Sequence, residues 1–314
     1  MMSGLAALCL LLLQTGILGF NIVFDGNSLS HQEITQIAIL KTTVQVCQAL
    51  ALAEGKNFTF PPQPFTAESV ADACQANSSN SFIQTINLIQ DNNRNVDIEH
   101  LSDPPYHFDR EKFSEGRKII TDGLSAVKAS NKLQNFEAAR EQLGAILHTL
   151  QDFYSHSNWV EMENTLPNSN LIRSDTSIGN IAAESRATCR NCNGDDCTNN
   201  ILEDILQEKI LISGYTGVSK PIGKCSHGGK FDTSSTIEPK GGINKDTLSS
   251  NHGHLHITAA DLAIAATSEL LEDVRKAAGD RVFLQMIGIS KGSSNALCML
   301  LFWFMVCVCA YLTL

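Results

Sequence analysis

The two ends of this 314-residue chain constrain its fold more than any other feature, because neither end carries a charged residue. Residues 1–19 and 296–314 are apolar runs, and every Asp, Glu, Lys and Arg lies in residues 20–295. A globular domain needs a solvated surface, which a charge-free run does not supply. We therefore predict one folded domain over residues 20–289, a short polar spacer over residues 290–295, and two terminal segments that act as targeting signals.

The first run, Met1–Gly19, is typical of a secretory signal peptide. Its apolar stretch has the length of such a signal and is followed by the small residues Gly16 and Gly19. The sequons at Asn57 and Asn77 fit a secreted glycoprotein, since Asn-X-Ser/Thr accepts N-linked glycans. The sequence thus predicts an extracellular domain.

The second run, Ala296–Leu314, is long enough to span a bilayer, yet no Lys or Arg follows it to anchor a cytoplasmic side. Small and polar residues precede it in Ser290–Asn295 (SKGSSN), which resembles a GPI-attachment signal. A single transmembrane span is the alternative. Either interpretation makes the membrane a partner and places the domain on the cell surface.

Six cysteines lie outside the terminal runs, an even number that is typical of disulfides in an oxidising compartment. They are Cys47, Cys74, Cys189, Cys192, Cys197 and Cys225. The segment CRNCNGDDC, together with Cys225, also fits a four-cysteine zinc site. Its Asn/Gly/Asp-rich spacing in a secreted chain favours two disulfides.

The composition is that of a globular protein, with 43% hydrophobic and 18% charged residues. The net charge of −10 argues against a nucleic acid or an anionic lipid surface as a purely electrostatic partner.

Helical periodicity dominates the chain, and no sustained period-two alternation appears. The predicted helices are Glu33–Ala53, Ser81–Asp91, Glu111–Ser130, Leu133–Tyr154, Ile201–Ile212 and Leu255–Ala278. Residues 213–253 are rich in Gly, Ser, Thr, Pro and Lys, which predicts a long ordered loop tied down by Cys225, or a small β excursion. The fold class is therefore mostly α in a single domain.

The segment LHTLQDFYSHSNW carries the clearest chemical pattern. On a helix at 100° per residue, His148, Asp152 and His156 fall within an arc of about 80°. Imidazole nitrogens and carboxylate oxygens at this spacing are zinc ligands. The alternative is an amphipathic helix whose His and Asp side chains pair in the core.

A second group of candidates lies in VDIEHLSDPPYHFD, residues 96–109, where a Pro-Pro turn brings His100, Asp103, His107 and Asp109 near one another. Asp109 is either a metal ligand or the N-cap of the next helix.

Three further histidines are candidates. His31 opens the first predicted helix and is either a ligand or a polar first-turn residue. In NHGHLH, His256 is the histidine that its helix can aim inward. His227, beside Cys225 and two glycines, is interpreted as a hydrogen-bonding loop residue. No G-x-S-x-G elbow, P-loop or Rossmann pattern occurs, so an enzyme of this sequence would use a metal-activated water.

Several motifs carry a family resemblance. In chain order, DPPYHFD, LHTLQDFYSHSNWVE, GKCSHGG and GGINKD closely resemble the N-terminal region of von Willebrand factor A domain-containing protein 7, and the chain also resembles the fungal Het-C family. The resemblance spans about residues 21–283. Where those proteins would continue into an adhesion domain, the apolar tail begins, so the function of that domain is not implied here.

At lower resolution the order of His and Asp residues is similar to that of the helical zinc-dependent phospholipases C and fungal zinc nucleases. This similarity implies a helical phospholipase-C-like fold with one to three zinc ions, which cleaves phosphoesters or phospholipids and uses the mature amino terminus as a further ligand. The implied ligands are His31, Asp109, His148, Asp152, His156 and His256. Asp152 or Asp109 would bridge metals or orient the water. The alternative function is a non-catalytic surface recognition module on the same scaffold.

Overall fold

The computed structural model describes Phe20, residues 26–229 and residues 232–290. The predicted signal peptide, most of the polar spacer and the apolar tail lie outside the described residues.

Helices form most of the described chain, as the periodicity predicts. The helices are α1 His31–Ala53, α2 Ala67–Ala73, α3 Asn80–Glu99, α4 Phe113–Lys132, α5 Phe136–His156, α6 Glu203–Gln207, α7 His256–Ala278 and α8 Asp280–Met286. Short 3-10 turns cover Pro104–His107, Asp109–Glu111, Ser169–Ile172, Thr233–Thr236 and Gly253–Leu255. Two strands, β1 Asn180–Ile181 and β2 Ile210–Leu211, pair in parallel as the single sheet of the described residues.

The four long helices α3, α4, α5 and α7 pack around one apolar core, and α1 packs against α3 and α7. By length and composition, α1 is the one described helix that could cross a membrane. It is part of the core here, because Ile34, Ala38 and Val46 are fully buried. The mostly helical fold class is therefore confirmed.

The main difference from the predicted elements lies in Ile201–Ile212. Only Glu203–Gln207 is helical, and Ile210–Leu211 forms β2 instead. The apolar residues of this stretch serve a second, smaller core that includes Ile205, Ile212 and Ile243. Tertiary packing thus replaces the helix that local periodicity indicates.

All six cysteines of the described chain form disulfides, which confirms that prediction over the zinc alternative. The pairs are Cys47–Cys74, Cys189–Cys225 and Cys192–Cys197. Cys189–Cys225 fastens the predicted loop, whose described residues 213–229 and 232–253 cover the C-terminal end of α5.

Two fully buried lysines also hold this loop. The ammonium of Lys224 lies 2.6 Å from the Glu111 carboxylate, and that of Lys245 lies 2.9 Å from Glu161. Buried charges of this kind are tolerated only when paired, so these two pairs fix the loop against the helical body.

Candidate metal centre

The C-terminal half of α5 is buried on all sides. Every residue of the range 146–156 is buried, and the range includes His148, Gln151, Asp152 and His156. A helix surrounded by protein normally carries apolar side chains, and buried polar groups are costly unless they are paired. These polar side chains therefore need partners from the surrounding elements.

One set of partners forms what we call the central cluster, which consists of Asp97, His107, His148 and Asp152. Nε2 of His148 lies 3.0 Å from Oδ2 of Asp152 and 3.2 Å from Nδ1 of His107. Nδ1 of His107 is 2.9 Å from Oδ2 of Asp152, and Oδ1 of Asp97 is 3.5 Å from Nε2 of His148. Four tetrahedral ligands at 2.0–2.2 Å from zinc lie about 3.3–3.6 Å apart. The donor spacing of the central cluster therefore approximates that of a zinc site.

A glycine permits the helix contact that builds this cluster. A Cβ atom on Gly144 would lie 2.4 Å from the carbonyl oxygen of Ile89, so only glycine allows α5 to approach α3 this closely. Gly144 precedes His148 by one helical turn. The close approach thus brings His148 of α5 beside Asp97 near the end of α3.

The 3-10 turn Pro104–His107 positions His107. Two prolines begin the turn, and Phe108 ends it in a left-handed conformation at φ 54°. The Phe108 ring packs on Gly116 of α4, where a Cβ would come within 2.7 Å of it. This anchor aims His107 and Asp109, on either side of Phe108, at the buried end of α5.

His31 contacts the other carboxylate oxygen of Asp152. A capping box between Ser30 and Glu33 begins α1 at His31, so the ring belongs to the first turn of a fixed helix. Nε2 of His31 lies 3.1 Å from Oδ1 of Asp152. The two oxygens of Asp152 therefore face different histidines: Oδ1 faces His31, and Oδ2 faces the central cluster.

The second set of donors, which we call the loop cluster, comprises Asp109, His156, His227 and Asp246. Nε2 of His156 is 3.2 Å from Oδ1 of Asp246, and Nδ1 of His156 is 3.4 Å from Oδ1 of Asp109. Nε2 of His227 is 3.5 Å from Oδ2 of Asp246. Residues 213–253 supply His227 and Asp246, so the loop contributes half of this donor set.

Hydrogen bonds orient the cluster histidines in the way that metal ligands are usually oriented. Nε2 of His107 contacts the carbonyl oxygen of His100 at 3.1 Å, and Nδ1 of His156 contacts the carbonyl oxygen of His107 at 2.8 Å. Nδ1 of His227 contacts the carbonyl oxygen of Gly228 at 2.9 Å. A carbonyl only accepts, so each contacting nitrogen carries hydrogen. In the neutral rings the other nitrogen is left with a lone pair directed into a cluster.

Several buried ligand atoms without hydrogen bonds lie in or beside these clusters. Within the described residues, both carboxylate oxygens of Asp97 and Asp109, Oδ1 of Asp152, and Nε2 of His31 and His227 make no hydrogen bond. Three triads among these side chains have ligand atoms within 4.8 Å of one another: His31/Asp97/His148, His107/His148/Asp152 and Asp109/His156/His227. Desolvated carboxylates without donors are costly, and a cation relieves that cost. The donor set of nitrogen and oxygen without thiolate fits zinc.

The electrostatics of the centre depend on Asp152 and His156. Burial alone would raise the pKa of Asp152, but the neighbouring charges of His148, His156 and His31 hold that pKa well below its usual range. Burial would lower the pKa of His156, yet the carboxylates of Asp152, Asp246 and Asp109 raise it well above 6.5. The same carboxylates that attract a cation therefore also attract protons.

The structure excludes the N-cap interpretation of Asp109. Helix α4 begins at Phe113 with Lys112 as its N-cap residue, so Asp109 caps no helix. Its carboxylate instead faces His156 in the loop cluster. His31 is a first-turn residue of α1, and its ring is also buried against Asp152.

His256 does not join the other predicted ligands. Its Nδ1 donates to the carbonyl oxygen of Lys245 at 2.7 Å, and its Nε2 accepts from the backbone N–H of Leu29 at 2.8 Å. Both nitrogens are therefore engaged by the backbone. Its ring also contacts Phe20, with 5.7 Å between the ring centroids.

Four cluster members are not among the ligands predicted from the sequence. They are Asp97, His107, His227 and Asp246. His107 lies in the stretch that was recognised as binding chemistry, and Asp246 ends the motif GGINKD. His227 does bond within its loop, as interpreted, but through Nδ1 only. No periodic signal marks these residues, because loops and turns place three of them.

Known proteins resemble this chain over most of its length. Residues 65–284 match the family model of the VWA7 N-terminal domain. That range contains both clusters, whereas His31 precedes it. No solved structure matches the chain.

Two relatives illustrate the similarity. Von Willebrand factor A domain-containing protein 7 of Homo sapiens is 36% identical over 283 residues, which cover 85% of this chain and 31% of that protein. The Mus musculus protein of the same name is 41% identical over 198 residues, 62% of this chain and 22% of that protein. The chain thus spans less than a third of the length of these relatives. Because the family match covers most of the sequence, this chain belongs to the VWA7 N-terminal domain family.

Proposed function

We propose that this chain is an extracellular, membrane-anchored zinc-binding domain that hydrolyses phosphoesters. The observation that carries the proposal is the geometry of Asp152, whose two carboxylate oxygens contact different histidines. A carboxylate shared in this way can bridge two cations, and paired cations stabilise the attacking and leaving oxygens of phosphoester hydrolysis.

The chain's own residues would hold and orient the reacting groups. The central cluster would hold one ion, His31 with Asp152 a second, and the loop cluster a third. Bound zinc supplies a Lewis acid and lowers the pKa of a coordinated water to about 7. Asp109, whose oxygens have no hydrogen-bond donor in the described residues, is placed to hold an ion or to orient that water.

The resemblance to zinc-dependent phospholipases C supports this assignment and suggests a role for Phe20. Signal-peptide cleavage after Gly19 would make Phe20 the first residue of the mature chain. The Phe20 ring contacts the ring of His31, with 5.6 Å between centroids, and its carbonyl oxygen accepts from the His31 N–H at 3.3 Å. A new amino group would therefore form on a residue that contacts His31, as the resemblance implies.

Zinc content and hydrolysis test the proposal together. We expect the secreted chain, purified without a histidine tag or chelator, to carry at least two zinc ions by elemental mass spectrometry. We also expect it to hydrolyse bis-p-nitrophenyl phosphate or phosphatidylcholine, to lose that activity on dialysis against chelator and to regain it with zinc. A folded protein without zinc would refute the proposal.

A non-catalytic recognition module is the second candidate, because the donors are deeply enclosed. The relative exposure of His31, His107, Asp109, His148, Asp152 and His156 is 0–1%, and that of Asp246 is 7%. Stoichiometric zinc without hydrolysis of any phosphoester would favour this candidate and a structural role for the ions.

The extracellular assignment rests on the terminal runs, the sequons and the three disulfides. Asn57 and Asn77 are both exposed, so oligosaccharyltransferase could reach them. We expect the mature protein from mammalian cells to begin near Phe20 by amino-terminal sequencing and to shift in mass on glycosidase treatment. Release from cells by phosphatidylinositol-specific phospholipase would support the GPI anchor, and retention would favour the transmembrane span.

A further inference from the structure

Two buried amide side chains lie between the predicted metal ligands. Gln151 of α5 and Asn93 of α3 are both fully buried, and Nδ2 of Asn93 donates to Oε1 of Gln151 at 3.2 Å. Neither residue belongs to a cluster defined above. A buried amide is costly unless its hydrogen bonds are made, so the partners of this pair indicate why it is there.

The amide pair is satisfied by residues from four helices. Nε2 of Gln151 donates to the hydroxyls of Thr35 in α1 and Thr267 in α7, at 3.0 Å and 3.2 Å. Nδ2 of Asn93 also donates to the Thr35 hydroxyl, at 3.2 Å. In this arrangement all amide hydrogens of the pair have acceptors.

The amide oxygens face two histidines that contact different oxygens of Asp152. Oε1 of Gln151 lies 2.7 Å from Nδ1 of His31, and Oδ1 of Asn93 lies 3.3 Å from Nδ1 of His148. An amide oxygen can only accept, so Nδ1 of each ring carries the hydrogen. In each neutral ring, Nε2 then presents a lone pair beside Asp152.

We propose that Gln151 and Asn93 form one positioning unit that sets the tautomer and ring orientation of His31 and His148 together. The two histidines contact different oxygens of Asp152. A single amide pair thus prepares both proposed cation positions, although neither amide contacts a cation. The inference rests on the proposed metal centre only in the experiments that measure zinc binding.

The tautomers can be measured without any variant. In long-range proton–nitrogen NMR spectra of the metal-free protein, recorded at a pH at which the rings are neutral, we expect both His31 and His148 as the Nδ1–H tautomer. Observation of the Nε2–H tautomer in either ring would overturn the proposal. The outcome does not depend on hydrolysis or on zinc, so it is separate from the proposed function.

Substitution of Gln151 tests the coupling. Gln151→Met keeps the length of the side chain but removes its hydrogen bonds, and loss of such an outer partner costs about 10–100-fold in metal affinity. We expect this loss in zinc competition titrations. Gln151→Glu keeps the acceptor for His31 and should restore affinity to near the wild-type value.

Thr149→Val is the matched control, because Thr149 is equally buried on α5 and its hydroxyl makes no hydrogen bond in the described residues. It should leave zinc affinity and tautomers unchanged. Wild-type affinity in a folded Gln151→Met protein would refute the positioning role. If Gln151→Met fails to fold, the tautomers of the wild-type protein decide the question.

Discussion

Asp152→Asn is expected to abolish cation binding at both carboxylate oxygens. We expect no other single substitution to lower zinc binding more. The amide preserves the shape of the carboxylate but removes the negative charge that faces His31 through one oxygen and His107 and His148 through the other. The loss of zinc affinity should exceed the loss of about 10–100-fold that follows removal of an outer-sphere partner. Elemental mass spectrometry should show at least two fewer zinc ions per chain.

Asp103→Asn is the control for this experiment. Asp103 precedes the turn that carries His107, but its side chain is 61% exposed and faces no cluster. Zinc content should not change in this variant. Full zinc content in Asp152→Asn would contradict the bridging role and assign Asp152 to internal pairing with histidines.

Acidification is expected to weaken zinc binding steeply, beginning above pH 6.5. The carboxylates of the centre outweigh burial and raise the pKa values of His31, His107 and His156 above the ordinary value of about 6.5. Zinc must displace these protons, and each displaced proton lowers the apparent affinity about tenfold per pH unit. Competition titrations with a chromophoric chelator between pH 8 and pH 5.5 measure the slope.

The metal-free protein should show the opposite trend in stability. A raised folded-state pKa of His156 stabilises the fold fully below the unfolded value, and this stabilisation is lost as pH rises through the folded-state value. In chelator, the free energy of unfolding should therefore fall from about pH 6.5 upward, whereas in saturating zinc it should rise. His254→Gln, at an exposed histidine outside both clusters, should leave both slopes unchanged. If the free energy of unfolding changed with pH in the same direction in chelator and in zinc, protons and zinc would not be competitors for the same nitrogens.

The helical part of the centre could be predicted from sequence because one periodicity governs it. His148, Asp152 and His156 recur every four residues, so any helix through them must present one face of ligands. Their burial could not be predicted in the same way. Residues 146–156 are enclosed on every side, and that depends on the packing of α1, α3, α4 and α7.

The loop-borne donors have no such signal. His227 and Asp246 lie in a Gly- and Ser-rich segment without periodicity, and the Cys189–Cys225 disulfide together with the buried lysines decides where that segment lies. For His256, the local pattern predicts a ligand that the fold does not provide. Its helix does aim it inward, but backbone groups of Leu29 and Lys245 occupy both ring nitrogens.

The donors of the proposed metal centre come from stretches as far apart in the chain as His31 and Asp246, and this separation dictates when a cation can bind during folding. The entropy of closing loops of this length is lost before the contacts that they bring together can stabilise the fold. A partly folded chain would offer only the α5 histidines with Asp152, which is too few ligands for a closed site. Metal uptake would therefore mark the end of folding, and the zinc content of secreted protein would report which molecules had completed it.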